Sequence, residues 1–204
     1  MQTSTSPRLA ALRHRDFRLI WAGNFISIMG TQMQLTAINW HVYQLLAGSS
    51  LSVEIFGRTV QLNPEALGLG GLGLIRIIPI ALFALVGGTL ADITNRRTML
   101  IWTNSIAALL ALALAVTSFA GTDSIWVIYL LTALTSATAA FMGPALQSLI
   151  PNLVPARELT NAISLNSTVR QIATIAGPAL AGLIIATAAI GWVYVINALS
   201  FAAI

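Results

Sequence analysis

The sequence predicts an all-α, polytopic membrane protein, and three observations carry that reading. Of its 204 residues, 57% are hydrophobic and 8% are charged, with a mean hydropathy of +0.84. Soluble domains carry roughly a quarter charged residues. The charges that exist are clustered: residues 19–53, 77–91, 98–122, 124–156 and 171–204 contain no Asp, Glu, Lys or Arg. All but the second of these runs exceed the ~20 apolar residues that a helix needs to cross a bilayer core. Helices are the expected spanning form, because they satisfy their own backbone polar groups where no water can.

The elements follow in order. Residues 1–18 make a polar arm carrying Arg8, Arg13, Arg15 and Arg18. Basic residues before an apolar stretch also describe a secretory leader, but the uncharged run that follows is about twice the length of a leader's apolar region and lacks a small-residue cleavage site. It reads as a retained first span over about 19–46. Residues 47–63 form a polar loop, with strand-like alternation around Val53–Leu62. Asn63-Pro64-Glu65 is a helix start: a capping residue, a proline at the first helical position and an acid near the positive dipole end. Spans are expected over about 66–91, 98–120, 124–149 and 161–187. Trp192–Ile204 is apolar but 13 residues long, about 20 Å of helix against a ~30 Å core. It reads as a sixth span cut short, so residues 19–204 would form one transmembrane bundle that lacks a C-terminal half.

The net charge of +4 comes entirely from arginine, since lysine is absent. Arg8, Arg13, Arg15, Arg18, Arg96, Arg97 and Arg157 fall on one side of the expected spans, and Arg58 alone on the other. That bias predicts a multi-pass protein of the plasma (inner) membrane with a cytoplasmic N-terminus; it does not suggest a nucleic-acid partner. Cysteine is absent and histidine occurs twice, so no disulfide, metal site or other cofactor is expected. No catalytic cluster is visible, and the chain is not read as an enzyme. Gly68-x-Gly70-x-x-Gly73 matches a dinucleotide fingerprint, but that motif needs a soluble βαβ unit, and here it opens a membrane helix.

The turn between the second and third spans reads Gly87-Gly88-Thr89-Leu90-Ala91-Asp92-Ile93-Thr94-Asn95-Arg96-Arg97. Gly88 allows close helix approach, and Asp92 with Arg96 or Arg97 makes a compact charge latch; a plain stop-and-turn with cytoplasmic arginines fits the same residues. In this loop the chain resembles the major facilitator superfamily, whose pattern G-x-L-x-D-r-x-G-R-R is met by Gly88, Leu90, Asp92, Arg96 and Arg97, with Asn95 where glycine is usual. Asn tolerates left-handed backbone, so the turn is expected to survive. Leu12-Arg13-His14-Arg15-Asp16-Phe17-Arg18-Leu19-Ile20-Trp21 resembles the start of the branch that holds the enterobactin exporter and macrolide-efflux proteins. So does Leu149-Ile150-Pro151-Asn152-Leu153-Val154-Pro155 with Glu158-Leu159-Thr160-Asn161-Ala162.

Ala173, Gly177 and Ala181 form a small-residue strip in the fifth span, and Pro178 permits a kink. Gly177, Pro178 and Gly182 are similar to the glycine-proline motif of the superfamily's drug exporters, with the second glycine displaced by one. Two arginines lie inside spans, Arg76 and Arg170. A charge there costs at least ~2.5 kcal/mol on insertion scales and needs a water-filled cavity or a partner; Arg76 can also snorkel outward. Asn166 and Gln171 flank Arg170 as a polar surface. Asn24, Ser27, Thr31, Gln34 and His41 fall within an arc of about 100° on the first span, either lining a cavity or gluing helices, with the cavity favoured. No carboxylate falls in mid-span, so a proton-coupling acid would come from the absent half, or Asp92 or His41 would serve.

The resemblance implies the N-terminal six-helix half of a twelve-helix transporter, built as two three-helix inverted repeats. It implies an exporter of drug-like molecules, siderophores or metabolites working by alternating access, with the bilayer, a small-molecule substrate and protons as a coupling ion among its expected partners. The alternative is a truncated, non-transporting membrane partner or scaffold.

Overall fold

Side-chain caps mark the starts of two helices, at Asn63 and Asn95. The computed structural model describes residues 10–55, 58–93, 95–122 and 124–203; at 53–55, 58–60, 85–93, 96, 144, 145 and 148 it describes the backbone alone. A 3-10 turn, Ala10–Arg13, leads through extended His14 into α1 (Arg15–Leu46), with Asp16 in the first turn. Gly48, at φ +79°, then turns the chain, a conformation that costs glycine little. The strand-like stretch is an antiparallel hairpin of β1 (Leu51–Ile55) and β2 (Arg58–Leu62), with Leu51 opposite Leu62. α2 (Pro64–Ile93) opens as its Asn-Pro-Glu sequence dictates: Asn63 Oδ1 accepts the Ala66 N–H at 3.0 Å. Glu65 Oε1 accepts the Gly48 N–H at 3.3 Å and ties down the base of the hairpin.

At the start of α3 (Arg96–Phe119), Asn95 Oδ1 accepts the Arg97 N–H at 3.0 Å. This corrects the expectation for Asn95. Its φ of −64° and ψ of 113° are extended, not left-handed; it holds the turn as an N-cap. Gly121, at φ +63°, turns the chain toward α4 (Ile125–Leu149). Two 3-10 turns, Ile150–Asn152 and Ala156–Glu158, lead to α5 (Leu159–Thr187), which stays helical through Pro178. α6 (Gly191–Ser200) ends in a 3-10 turn at Phe201–Ala203.

Contacts between the helices fix their directions. His14 meets Glu158 and Asn24 meets Asn166, so α1 and α5 run parallel. Tyr129 meets Gly68 and Phe83 meets Phe141, so α2 and α4 are also parallel. Gln34 meets Asn197 and His41 meets Tyr194, which sets α6 antiparallel to α1. The principal pairs are α1 with α5, α2 with α4, α3 with α6, α1 with α6 and α3 with α4. Exchanging α1 with α4, α2 with α5 and α3 with α6 maps this set onto itself. Three helices per repeat is an odd number, so the second repeat must run opposite to the first: these are inverted repeats. One core joins all six helices, including Ile38 and Val42, Leu72, Leu114, Ile128, Ala181 and Tyr194.

The outside of the bundle is apolar. Leu82, Leu109, Val116, Ile175, Leu183 and Leu199 are all exposed, which suits hydrocarbon as the solvent and not water. Among the described residues, four segments are long and apolar enough to cross a membrane, at Pro64–Ala84, Arg97–Phe119, Ile125–Gly143 and Ala156–Thr187, with a shorter apolar helix at Gly191–Ala203. α1, at 32 residues, has the length, but its amides and hydroxyls dilute its hydropathy. The aromatic pairs Trp40–Tyr43, Trp126–Tyr129 and Phe119–Trp192 all cluster at one end of the bundle, as side chains at a membrane interface do. Arg13, Arg15, Arg97 and Arg157 mark helix starts at the other end.

Candidate functional site

α5 has two unlike faces. Ala162, Val169, Ala173, Gly177 and Ala181 are buried. A Cβ added at Gly177 would stand 2.5 Å from Gln32 Cβ and 3.3 Å from the backbone of Gln32 and Met33, so this face lies directly on α1. The same test at Gly182 finds nothing within 4 Å. Gly182 therefore takes no part in the close packing that the glycine-proline motif suggested, because the one-residue displacement rotates it off the seam.

Flanking that seam on α5, Ser164, Ser167, Arg170, Gln171 and Thr174 are exposed, within an arc of about 120° at 100° per residue that also takes in exposed Ile163. The Thr174 hydroxyl donates to the Arg170 carbonyl oxygen at 2.8 Å. The Arg170 guanidinium has no partner among the described residues. Guanidinium, amide and hydroxyls side by side can hold an anionic or polar group. This face cannot rest against lipid without the cost of an embedded charge.

The α1 stripe divides. Thr31 is exposed, while Asn24, Ser27, Gln34 and His41 are buried between helices. Asn24 Nδ2 donates to Asn166 Oδ1 at 3.4 Å, Asn197 Nδ2 donates to Gln34 Oε1 at 2.7 Å, and His41 Nδ1 lies 3.1 Å from the Tyr194 hydroxyl. The expectation of a cavity-lining stripe gives way for these four: all are buried, and Asn24, Gln34 and His41 join α1 to α5 and α6. An arc of polar residues on one helix does not reveal whether a neighbour supplies matching groups, and here α6 does. Asn197 and Ser200, one turn apart in an otherwise apolar segment, were the overlooked signal.

Arg76 is half-buried and donates from Nη2 to Asn39 Oδ1 at 3.1 Å, across the α1–α2 seam. Its guanidinium thus has a partner on the neighbouring helix. Asn39 lies off the α1 stripe, and no sequence signal paired it with Arg76. In the turn between α2 and α3, Gly88, Leu90 and Asp92 lie in the last turns of α2 and Arg96 opens α3. Their side chains lie outside the described residues, as does the expected latch; Arg97 is exposed. A cavity of about 700 Å³ lies away from the α5 face, between the starts of α1 and α3 and Phe201, with Asp16, Arg97 and Asn104 in its wall. No group of metal-binding side chains occurs among the described residues.

Inverted repeats, an apolar exterior and, among the described residues, a polar exposed face on α5 together define a polytopic membrane protein. A family model described as transmembrane secretion effector matches residues 5–204, and the chain belongs to that family, within the major facilitator superfamily. Macrolide efflux protein A of Streptococcus pyogenes is 26% identical over 168 residues, covering 82% of this chain and 37% of that protein. An MFS-type transporter of Bacillus subtilis, YfiS, is 29% identical over 141 residues, covering 69% and 33%. The staphyloferrin A transporter of Staphylococcus aureus is 25% identical over 170 residues, covering 83% and 38%. The chain thus spans little more than a third of the length of the curated relatives it matches. No solved structure gives a significant match.

Proposed function

We propose that this chain is the N-terminal half-bundle of a secondary active exporter in the plasma membrane, moving drug-like molecules, siderophores or related metabolites by alternating access against a second six-helix half. The observation that carries the reading is the exposed polar face of α5 around Arg170. A face too polar for lipid, on a helix otherwise suited to hydrocarbon, requires water, substrate or a second protein half opposite it. Macrolide-efflux and siderophore-transporter names among the relatives support that substrate range. The arginine bias supports a cytoplasmic N-terminus.

In this reading Arg170 and Gln171, with Thr31 across the bundle surface, contact substrate, while Asp92 with Arg96 and Arg97 latches one conformation at the cytoplasmic end. Where protons drive the cycle, the coupling acid belongs to the second half, or Asp92 or His41 serves. The test is expression of the full reading frame in a bacterium stripped of its own exporters, followed by accumulation of labelled erythromycin and of a hydroxycarboxylate siderophore. Lower accumulation of either, abolished by a protonophore, is expected. Unchanged accumulation of both, with the protein present in the membrane, refutes export of these classes and favours a scaffold role. Full activity of Asp92→Ala refutes the latch.

A further inference from the structure

The charges set well inside the spans are both arginines, Arg76 in α2 and Arg170 in α5, and no Asp or Glu occurs within 19–53, 66–91, 98–122, 124–157 or 159–204. One line of α1 connects them. Thr31, Leu35 and Asn39 recur at four-residue intervals, within an arc of about 80°. Thr31 and Leu35 are exposed and Asn39 is half-buried. Gln32, next to Thr31, lies against Gly177 of α5, and Asn39 accepts from Arg76 of α2.

The α5 face and this line open on the same side of the bundle. At 100° per residue, Thr31 and Leu35 lie about 100° and 60° to one side of Gln32. Arg170, Ser167 and Gln171 lie about 20°, 80° and 120° from Gly177 in the opposite rotational sense. In parallel helices side by side, arcs of opposite sense from a shared contact face the same way. The heights follow from the register of α1 with α5, an offset of 144 residues at His14–Glu158 and 142 at Asn24–Asn166. Arg170 is therefore level with the helical turn just before Thr31, and Arg76, at Asn39, stands about 18 Å further along at 1.5 Å per residue.

Both guanidinium groups have donors to spare. Each carries five N–H donors; Arg76 gives one from Nη2 to Asn39, and Arg170 has no partner among the described residues. A neutral amide holds Arg76 more weakly than a carboxylate would, so an anion can displace it.

We propose that this surface is an anion path. The exported substrate carries carboxylates or comparable anionic groups, is held first at Arg170 with Ser167 and Gln171, and passes outward to Arg76, which exchanges Asn39 for it. This rests on the reading of the chain as half of an exporter, and it narrows the substrate class. A cationic amine on the same surface meets like charge and is selected against.

The experiment uses energised everted vesicles containing the full-length protein and a labelled, iron-free hydroxycarboxylate siderophore. The competitors are the unlabelled acid, the same molecule with every carboxylate converted to a primary amide, and erythromycin, a cationic amine. The acid is expected to inhibit uptake at least tenfold more strongly than the amide form, and erythromycin no more strongly than the amide form. Arg76→Gln and Arg170→Gln should each cut the acid-to-amide ratio at least threefold, and Arg76→Lys should hold it within twofold. A residue that merely braced the helices would change the amount of active protein and leave the ratio alone. Asn39→Asp sets a carboxylate beside Arg76 and should cut the ratio likewise, which keeps the test decisive where Arg76→Gln does not reach the membrane. Equal inhibition by acid and amide, stronger inhibition by erythromycin, or an unchanged ratio in Arg170→Gln and Asn39→Asp overturns the anion path. Uptake of labelled erythromycin without uptake of the acid overturns it while the export reading stands. If the parent takes up neither, the export reading fails separately and equilibrium dialysis of the purified protein decides: the acid should bind at least tenfold more tightly than the amide form, and equal binding overturns the path.

Discussion

Asn197 of α6 donates its side-chain amide to Gln34 of α1 at 2.7 Å, where both residues are more than nine-tenths buried. The Ser200 hydroxyl joins them, 3.0 Å from Asn197 Oδ1. A Cβ on Gly30 would collide with Asn197 and Ser200, so the helices are close enough for short amides to reach. Replacing one partner leaves the other unpaired in an apolar interior. Gln34→Leu or Asn197→Leu is expected to cost about 1–2 kcal/mol, with a coupling near 0.6 kcal/mol, the membrane-protein average. Denaturant unfolding of the two single variants and the double variant measures this; strict additivity refutes the pair.

Two glycines five residues apart in α5 should respond in opposite ways. At Gly177 a Cβ meets Gln32 Cβ at 2.5 Å and backbone at 3.3 Å, so neither neighbour can simply swing aside. Gly177→Ala is expected to destabilise by about 1–3 kcal/mol through overpacking. Gly182 faces open space, and Gly182→Ala should be neutral or stabilise by up to about 1 kcal/mol through helix propensity. Thermal unfolding in detergent checks both, and equal shifts would mean the α1–α5 seam is looser than drawn.

The number and type of the helices were readable because hydrocarbon imposes a length and a polarity on every span. The start of α2 was readable because Asn63, Pro64 and Glu65 are contiguous, and their chemistry is local. What could not be read was the facing of each polar residue. Gln34 and Thr31 share one arc of α1, yet one is buried against Asn197 and the other is exposed. His14 and Glu158, or Arg76 and Asn39, are partners that only the fold brings together. Periodicity gives an azimuth on one helix and says nothing of the neighbour that occupies it.

Asn95 offers a local test. Its side chain satisfies one of the free N–H groups at the start of α3. Asn95→Ala is expected to cost about 1 kcal/mol, whereas Asn95→Gly costs only a few tenths. Faster hydrogen exchange of the Arg97 amide in the alanine variant is the direct readout. Protection equal to the parent's would show that the cap contributes nothing.

The last prediction concerns Arg170, exposed on α5 with Asn166 engaged by Asn24 one turn behind it. Because its guanidinium makes no bond among the described residues, truncation should leave folding within about 0.5 kcal/mol of the parent, as for surface substitutions. If the face binds an anionic or polar group, Arg170→Ala and Arg170→Gln should reduce transport at least tenfold, the loss of one charge-assisted contact of about 1.5–3 kcal/mol. Arg170→Lys should retain part of the activity, because it keeps the charge but not the planar fork. Normal transport by Arg170→Gln at normal membrane levels would remove Arg170 from the substrate path and leave Thr31 and Gln171 to explain the polar face.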